Sequence, residues 1–247
     1  MFGPLTALRL KIRAVRGAYH HRREELRRRP WRHDPAVRQA ITDQFHRMYY
    51  DGYGQGGTWA ATYWRGVVAE KCPLDLWVFQ EIIHALRPDV IVETGTRFGG
   101  SALFMADLCE VLGNGRVVSV DIADEVGRPE HPRISYVRGS SVADATFATV
   151  KQHLGPADKV MVVLDSDHSK SHVLAELRLY HTLVSRGHYL IVEDTNIGGH
   201  PVAEDFGPGP MEAVQEFLAS GGTGFQVDGS REKLCLTFCP GGYLRRE

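Results

Sequence analysis

One feature constrains the fold of this chain above all others. From Asp75 onward, short apolar runs of strand length alternate with stretches of helical periodicity. DLWVFQEIIHALRP sets Phe79, Ile82, Ile83 and Leu86 on one helical face, with Asp75 placed as an N-cap and Pro88 limiting the helix. DVIVETG, RVVSVD, ISYVRGS, KVMVVLD and HYLIVED read as successive strands. The segments between them read as helices: GGSALFMADLCEVLG closed by Gly113, a helix near 142–154, and SHVLAELRLYHTLVSRG ending at Gly187. PMEAVQEFLAS adds a helix with Pro210 in its first turn, and GFQVD with KLCLTFC is expected to close the fold as a pair of strands. Such alternation predicts an α/β, Rossmann-like architecture with a mostly parallel sheet and helices on both faces. Ligands on such sheets bind beyond the carboxyl ends of the strands.

A chain of 247 residues with 43% hydrophobic content suits one sizeable domain plus appended structure. The expected division is a basic leader with an aromatic, glycine-rich lid over 1–74 and a catalytic domain over 75–247. Net charge is −1, but residues 1–32 carry +8 and the remainder −9. In the leader, Leu5, Leu8, Ile12 and Val15 recur at helical spacing among Arg9, Lys11, Arg13 and Arg16. That pattern allows peripheral contact with a membrane surface; packing on the body or on a neighbouring subunit is the preferred reading. No basic stripe with interleaved aromatics continues into the body, which argues against nucleic acid. No apolar run approaches the roughly 20 residues of a transmembrane helix, and no secretory signal is evident. Cys72, Cys109, Cys235 and Cys239 lack CxxC spacing and fit free thiols in a reducing cytoplasm. Residues 34–74 read as a helix followed by a long irregular wall or lid.

The first strand ends in VETGTRFGGS, where Gly95, Gly99 and Gly100 permit a ligand to approach the backbone. Its G-x-x-x-G-G spacing is not the G-x-G-x-x-G that closes on a pyrophosphate. Glu93 beside it disfavours a dianionic diphosphate and suits S-adenosylmethionine, which carries an ammonium and a sulfonium. The following helix N-terminus can receive that cofactor's carboxylate. Glu93, Gly95, Thr96, Gly99 and Ser101 are therefore candidate cofactor contacts. Asp121, at the next strand end, is positioned for the ribose hydroxyls. Gly139 and Ser140, after the third strand, are candidates for the adenine edge.

Asp165 closes the fourth strand, and Glu193 and Asp194 close the fifth. Adjacent parallel strands would gather all three carboxylates in one crevice, where mutual repulsion calls for a cation. Oxygen-only ligation favours Mg²⁺ or Mn²⁺. His168, three residues beyond Asp165, is a candidate proton acceptor for a hydroxyl substrate, and Asp165 is counted with it as catalytic and as a cofactor neighbour. Asp167 and Ser169 read as caps of the following helix. A rival cluster of Asp165, His168 and His172 would indicate zinc or iron, but it leaves Glu193 and Asp194 unexplained.

The blocks PLDLWVFQEIIHALRPDVIVETGTRFGGSALF, VVSVDI, VVLDSDHSKSHVLAELRLY and YLIVEDTNIGGHPV…FGPGP resemble the cephalosporin hydroxylase/rhamnosyl O-methyltransferase family. This is a branch of the class I adenosylmethionine-dependent methyltransferases. The resemblance runs from about Trp59 to the C-terminal PGGYLRR and looks closest to the bacterial rhamnosyl O-methyltransferases. It implies a seven-stranded sheet with a reversed terminal hairpin, Mg²⁺ held by Asp165, Glu193 and Asp194, His168 as base, and a homo-oligomer. The implied activity is methylation of a deoxysugar hydroxyl on a bacterial natural product or glycolipid; Asn196, His200 and the GPGP loop are expected to border the acceptor and the aromatic segment 49–64 to cover it. A cephem-type or other non-sugar hydroxyl is the enzymatic alternative. A cofactor-binding accessory subunit of an oxygenase is a further one, against which the acid triad and His168 argue.

Overall fold

The computed structural model describes residues 32–52, 57–124, 127–221 and 224–247, together with positions 22 and 29. The leader pattern of Leu5, Leu8, Ile12 and Val15 lies outside the described residues. The chain divides into two compact units at Phe45/His46, and the larger, His46–Glu247, holds the whole sheet. It takes in the last turns of helix α1 (Pro35–Asp51), a short 3₁₀ turn (Thr58–Ala61) and a small antiparallel hairpin, β1 (Tyr63–Trp64) with β2 (Val67–Val68). The segment read from sequence as irregular thus contains a hairpin too short to show a period.

Regular structure follows: α2 (Pro73–Leu86), β3 (Val90–Thr94), α3 (Gly100–Leu112), β4 (Arg116–Asp121), β5 (Ile134–Arg138) and α4 (Asp144–Gln152). Then come β6 (Val160–Leu164), α5 (Lys170–Tyr180), β7 (Tyr189–Val192), α6 (Pro210–Ala219), β8 (Phe225–Val227) and β9 (Tyr243–Arg246). The seven-stranded sheet runs β5-β4-β3-β6-β7-β9-β8. Its first five strands are parallel, and β9 is antiparallel to both β7 and β8.

Alternation along each strand divides the core between the two faces. Val90, Val92, Val162 and Leu164 pack with Leu177, Tyr180, Val214 and Phe217 from α5 and α6. Ile91, Met161 and Val163 pack on the other face with Phe79, Ile82 and Ile83 of α2 and Met105 of α3. Burying each such side chain contributes roughly 1.5–3 kcal/mol. Because both faces are covered, the strands read as continuous apolar runs, which made them legible. Connections from β3 lead one way to β4 and β5, while β6 and β7 lie on its other side, so the topological switch falls between β3 and β6.

Two local expectations are corrected. Asp75 is not the N-cap of α2: the helix begins at Pro73 behind Cys72, and Asp75 is buried in its first turn. There it accepts hydrogen bonds from Thr237 Oγ1 at 2.5 Å, Phe238 N at 2.7 Å and Tyr243 OH at 2.8 Å. Those bonds also explain why KLCLTFC is not a strand. Its alternating Leu236 and Phe238 are buried against Cys72, Tyr49 and Tyr50, with backbone drawn to Asp75 instead of a sheet partner, and Cys235 breaks the extension at φ +71°. The terminal strand is Tyr243–Arg246, beyond a turn at 240–242.

Candidate active site

A cleft of about 890 Å³ opens at the carboxyl ends of the parallel strands, across the switch between β3 and β6. Gly95, Thr96, Ser101, Asp121, Gly139 and Ser140 line one part of it, and Asp165, His168 and Asp194 another. Glu93, Gly99 and Glu193 are not on its wall.

Gly95 follows β3 at φ +86°, and a Cβ there would stand 1.8 Å from the carbonyl oxygen of Asp165. The ends of β3 and β6 therefore meet backbone to backbone at the mouth of the cleft. Gly139 is equally constrained, since its added Cβ would lie 2.2 Å from Thr146 Oγ1. Both glycines are demanded by the protein's own packing as well as by any ligand beside them.

Glu93 differs from its expected role as a cofactor contact. It is fully buried beneath the cleft, taking bonds from Ser101 Oγ and Ser119 Oγ at 2.5 Å each. Thr96 Oγ1 joins the network 2.6 Å from Ser119 Oγ. Burial pushes the Glu93 pKa up to about 7, against the opposing pull of the Lys71 charge and the two serine bonds. Asp121 faces the cleft but already accepts hydrogen bonds from Arg97 N at 2.6 Å and Ala123 N at 2.8 Å, and pairs its charge with Arg128 at 3.1 Å. It pins the 95–99 loop to the end of β4. Its Oδ1, which takes a single donor, keeps accepting capacity for a ligand hydroxyl.

At the acid end, Asp165 follows β6, and Glu193 and Asp194 follow β7. One ligand atom from each of Asp165, His168 and Asp194 lies within 4.8 Å of the others. His168 Nε2 is 3.2 Å from Asp194 Oδ2. Glu193 stands outside that group, with its neighbour Asp194 turned away from it at φ +54°. The residue that sequence reasoning missed is Lys71. Its ammonium is buried, 3% exposed, and bridges Asp165 Oδ2 to Glu193 Oε2, the latter at 2.8 Å. A lysine in a coil just before a helix carries no pattern to announce this, because the partners are 94 residues or more away in sequence.

Burial works against the Lys71 charge, yet Asp165, Glu193 and Glu93 together hold its pKa well above the ordinary lysine value. Burial drives Glu193 well above the ordinary carboxyl range, with Lys71 opposing. Asp194 is pushed up to about 6, again by burial first, with His168 opposing. The Lys71 ammonium touches Asp165 and Glu193, with Glu93 near enough to act on it, and Glu193 Oε1 is buried without a hydrogen-bond partner. Clustered oxygen donors, buried and short of partners, suit a hard divalent cation.

The zinc or iron cluster is not formed. His172 turns to Ser141 Oγ at 2.9 Å and Glu176 at 3.7 Å, outside the acid group. The expected caps of α5 are met only in position: Ser169 is the N-cap but makes no side-chain cap bond, and Asp167 instead accepts from Ser169 N at 2.8 Å, closing a turn just ahead of the helix. Asn196 is fully buried against His46, and His200 pairs with Glu212 at 2.7 Å, so neither lines the cleft. Tyr50, Trp59, Ile197, Phe206 and Phe238 do.

Sheet order, the reversed β9 and the position of the cleft define a Rossmann-like class I methyltransferase fold. The family model "Rhamnosyl O-methyltransferase/CmcI" matches residues 57–247, and the chain belongs to that family. It is 37% identical over 214 residues to the rhamnosyl O-methyltransferase of Mycobacterium bovis (strain BCG / Pasteur 1173P2), covering 84% of this chain and 85% of the relative. The Mycobacterium leprae (strain TN) rhamnosyl O-methyltransferase is 37% identical over 213 residues, covering 84% of this chain and 91% of the relative. Among solved structures, cmcI-D160 Mg-SAM shares the fold at a TM-score of 0.59 and 23% identity, over 79% of each chain. No helix among the described residues is long and apolar enough to cross a membrane.

Proposed function

We propose that the chain is an S-adenosylmethionine-dependent O-methyltransferase acting on a hydroxyl of a rhamnosyl-type deoxysugar, borne by a bacterial natural product or glycolipid. A divalent ion, Mg²⁺ or Mn²⁺, would be held at the acid cluster. One observation carries the reading: Asp165, Asp194 and His168 converge in the same cleft that the 95–101 loop and Asp121 line. The rhamnosyl O-methyltransferase relatives support the acceptor class.

Asp121 would take the ribose hydroxyls, the 95–101 backbone the amino-acid end of the cofactor, and Ser140 its adenine edge. Asp165, Glu193 and Asp194 would supply oxygen to the ion. When bound, the cofactor supplies an electrophilic methyl on a sulfonium and the ion supplies a Lewis acid.

The chain's own part is orientation and proton transfer. His168, its Nε2 3.2 Å from Asp194 Oδ2, would take up the acceptor's hydroxyl proton. Tyr50, with ring centroids 5.8 Å from Trp59 and 5.6 Å from Phe238, forms an aromatic wall for the apolar face of a sugar. Free cysteines, buried at positions 72, 109 and 239, agree with a cytoplasmic setting.

The test is transfer of a labelled methyl from S-adenosylmethionine to p-nitrophenyl α-L-rhamnopyranoside and to a rhamnosylated glycolipid. Transfer should disappear with chelator and return with Mg²⁺ or Mn²⁺. Tight cofactor binding with no transfer to either sugar would reject the deoxysugar reading, and full activity in chelator would reject the ion.

A further inference from the structure

A buried lysine between two carboxylates is the feature of this site that the reaction itself does not require. Lys71 lies two residues before α2, in the segment that joins the β1–β2 hairpin to the domain. It is 3% exposed and does not line the cleft, so it is in no position to meet the acceptor. Its ammonium is consumed within the protein, by one oxygen of Asp165 and one oxygen of Glu193. Those two residues sit at the ends of different strands, β6 and β7, and their backbones are tied as well, with Glu193 N donating to Leu164 O at 2.9 Å. The remaining oxygen of Glu193 is buried without a partner.

We propose that Lys71 is a positioning residue for the cation site: it clamps Asp165 and Glu193 by one oxygen each and so leaves their other oxygens presented to a divalent ion. The inference rests on the proposed ion at the acid cluster and names the device that prepares its ligands. Two carboxylates this close, without the ammonium, would separate or share a proton, and either change spoils a preformed donor set. Flexible ligands cost affinity because they must be ordered at binding. With the clamp in place that ordering is done by folding. A lysine merely competing with the ion for the same carboxylates makes the opposite forecast, since its removal would strengthen ion binding.

The experiment is a Mn²⁺ titration of the full chain, read by electron paramagnetic resonance of free Mn²⁺, with no cofactor or acceptor present. Adenosylhomocysteine affinity and the melting temperature are measured in parallel. Lys71→Met should weaken Mn²⁺ binding at least tenfold while adenosylhomocysteine affinity stays within threefold. Lys71→Arg, which keeps the charge and can fork between the carboxylates, should recover most of the loss. Unchanged or tighter Mn²⁺ binding in Lys71→Met overturns the clamp. Loss of Mn²⁺ and adenosylhomocysteine together, with a collapsed melting transition, assigns that variant's defect to the fold. The decision then falls to Lys71→Gln, which removes the charge but keeps a hydrogen-bonding end group and leaves every proposed ion ligand in place: at least tenfold weaker Mn²⁺ binding with an intact melting transition supports the clamp, and unchanged or tighter binding refutes it. Absence of Mn²⁺ binding in the unmodified chain refutes the ion itself, a failure separable from that of the clamp.

Discussion

His168 and Asp194 show how a single pair converts burial into pH dependence. Burial raises the Asp194 pKa to about 6, so its carboxylate forms as pH rises through that value and only then orients the ring 3.2 Å away. The methyl-transfer rate should therefore fall on the acid side below about pH 6, and Asp194→Asn should shift that limb while lowering kcat. Replacing His168 with Ala should cost about 10²–10⁴ in kcat, the usual range for a positioned base; a pH–rate profile identical to the parent's would remove it from that role. Glu93 gives a stability prediction of the other kind. Its folded pKa of about 7 exceeds the ordinary 4.5, so the unfolded chain releases this proton first. Its contribution to stability is complete below about pH 4.5 and declines as pH rises towards 7. Thermal unfolding of Glu93→Gln should lose that part of the pH dependence; a melting temperature tracking the parent's across pH 5–8 would contradict it.

Elements meet at this site through tertiary bonds that no local pattern encodes. Helix α2 is anchored at its first turn by Asp75, which collects two donors from the 237–238 segment and one from β9. Asp75→Ala removes the acceptor for all three, leaving buried donors unsatisfied. It should cost roughly 2–4 kcal/mol, visible as a lower urea midpoint, and a midpoint within experimental scatter of the parent would show that the segment repacks. Expecting Asp75 to cap the helix was reasonable for an Asp near a helix start. The true start at Pro73 obeys another preference, that of proline for the first turn. The KLCLTFC segment is an instructive miss: its alternation is real and buries Leu236 and Phe238, but alternation reports a buried face, not a ladder partner.

Across the whole molecule, the sheet is completed by its C-terminal residues. Tyr243 and Leu244 are fully buried, and β9 lies between β7 and β8 instead of at an edge. Truncation after Gly242 should therefore strip β7 of its outer neighbour and release β8. We expect loss of the cooperative melting transition, and a truncated chain that melts like the parent would show the last strand to be dispensable. The acid cluster depends on this end too, because Val192 N donates to Gly242 O at 2.9 Å immediately before Glu193.

By itself the sequence determined the α/β class, the succession of five strands along the chain and the residues at their tips, because strands buried on both faces announce themselves as continuous apolar runs. It also marked Gly95, Asp121, Asp165, His168 and Asp194, residues whose chemistry is conspicuous just beyond such runs. Only tertiary structure decided which of them face the cleft. Glu93 and Glu193 lie behind it, while Gly95 and Thr96 beyond the one and Asp194 beside the other line it, the last turned by its positive φ. The same folding brings Lys71 against carboxylates more than 90 residues away. Electrostatic compensation acts through space, and sequence distance carries no trace of it.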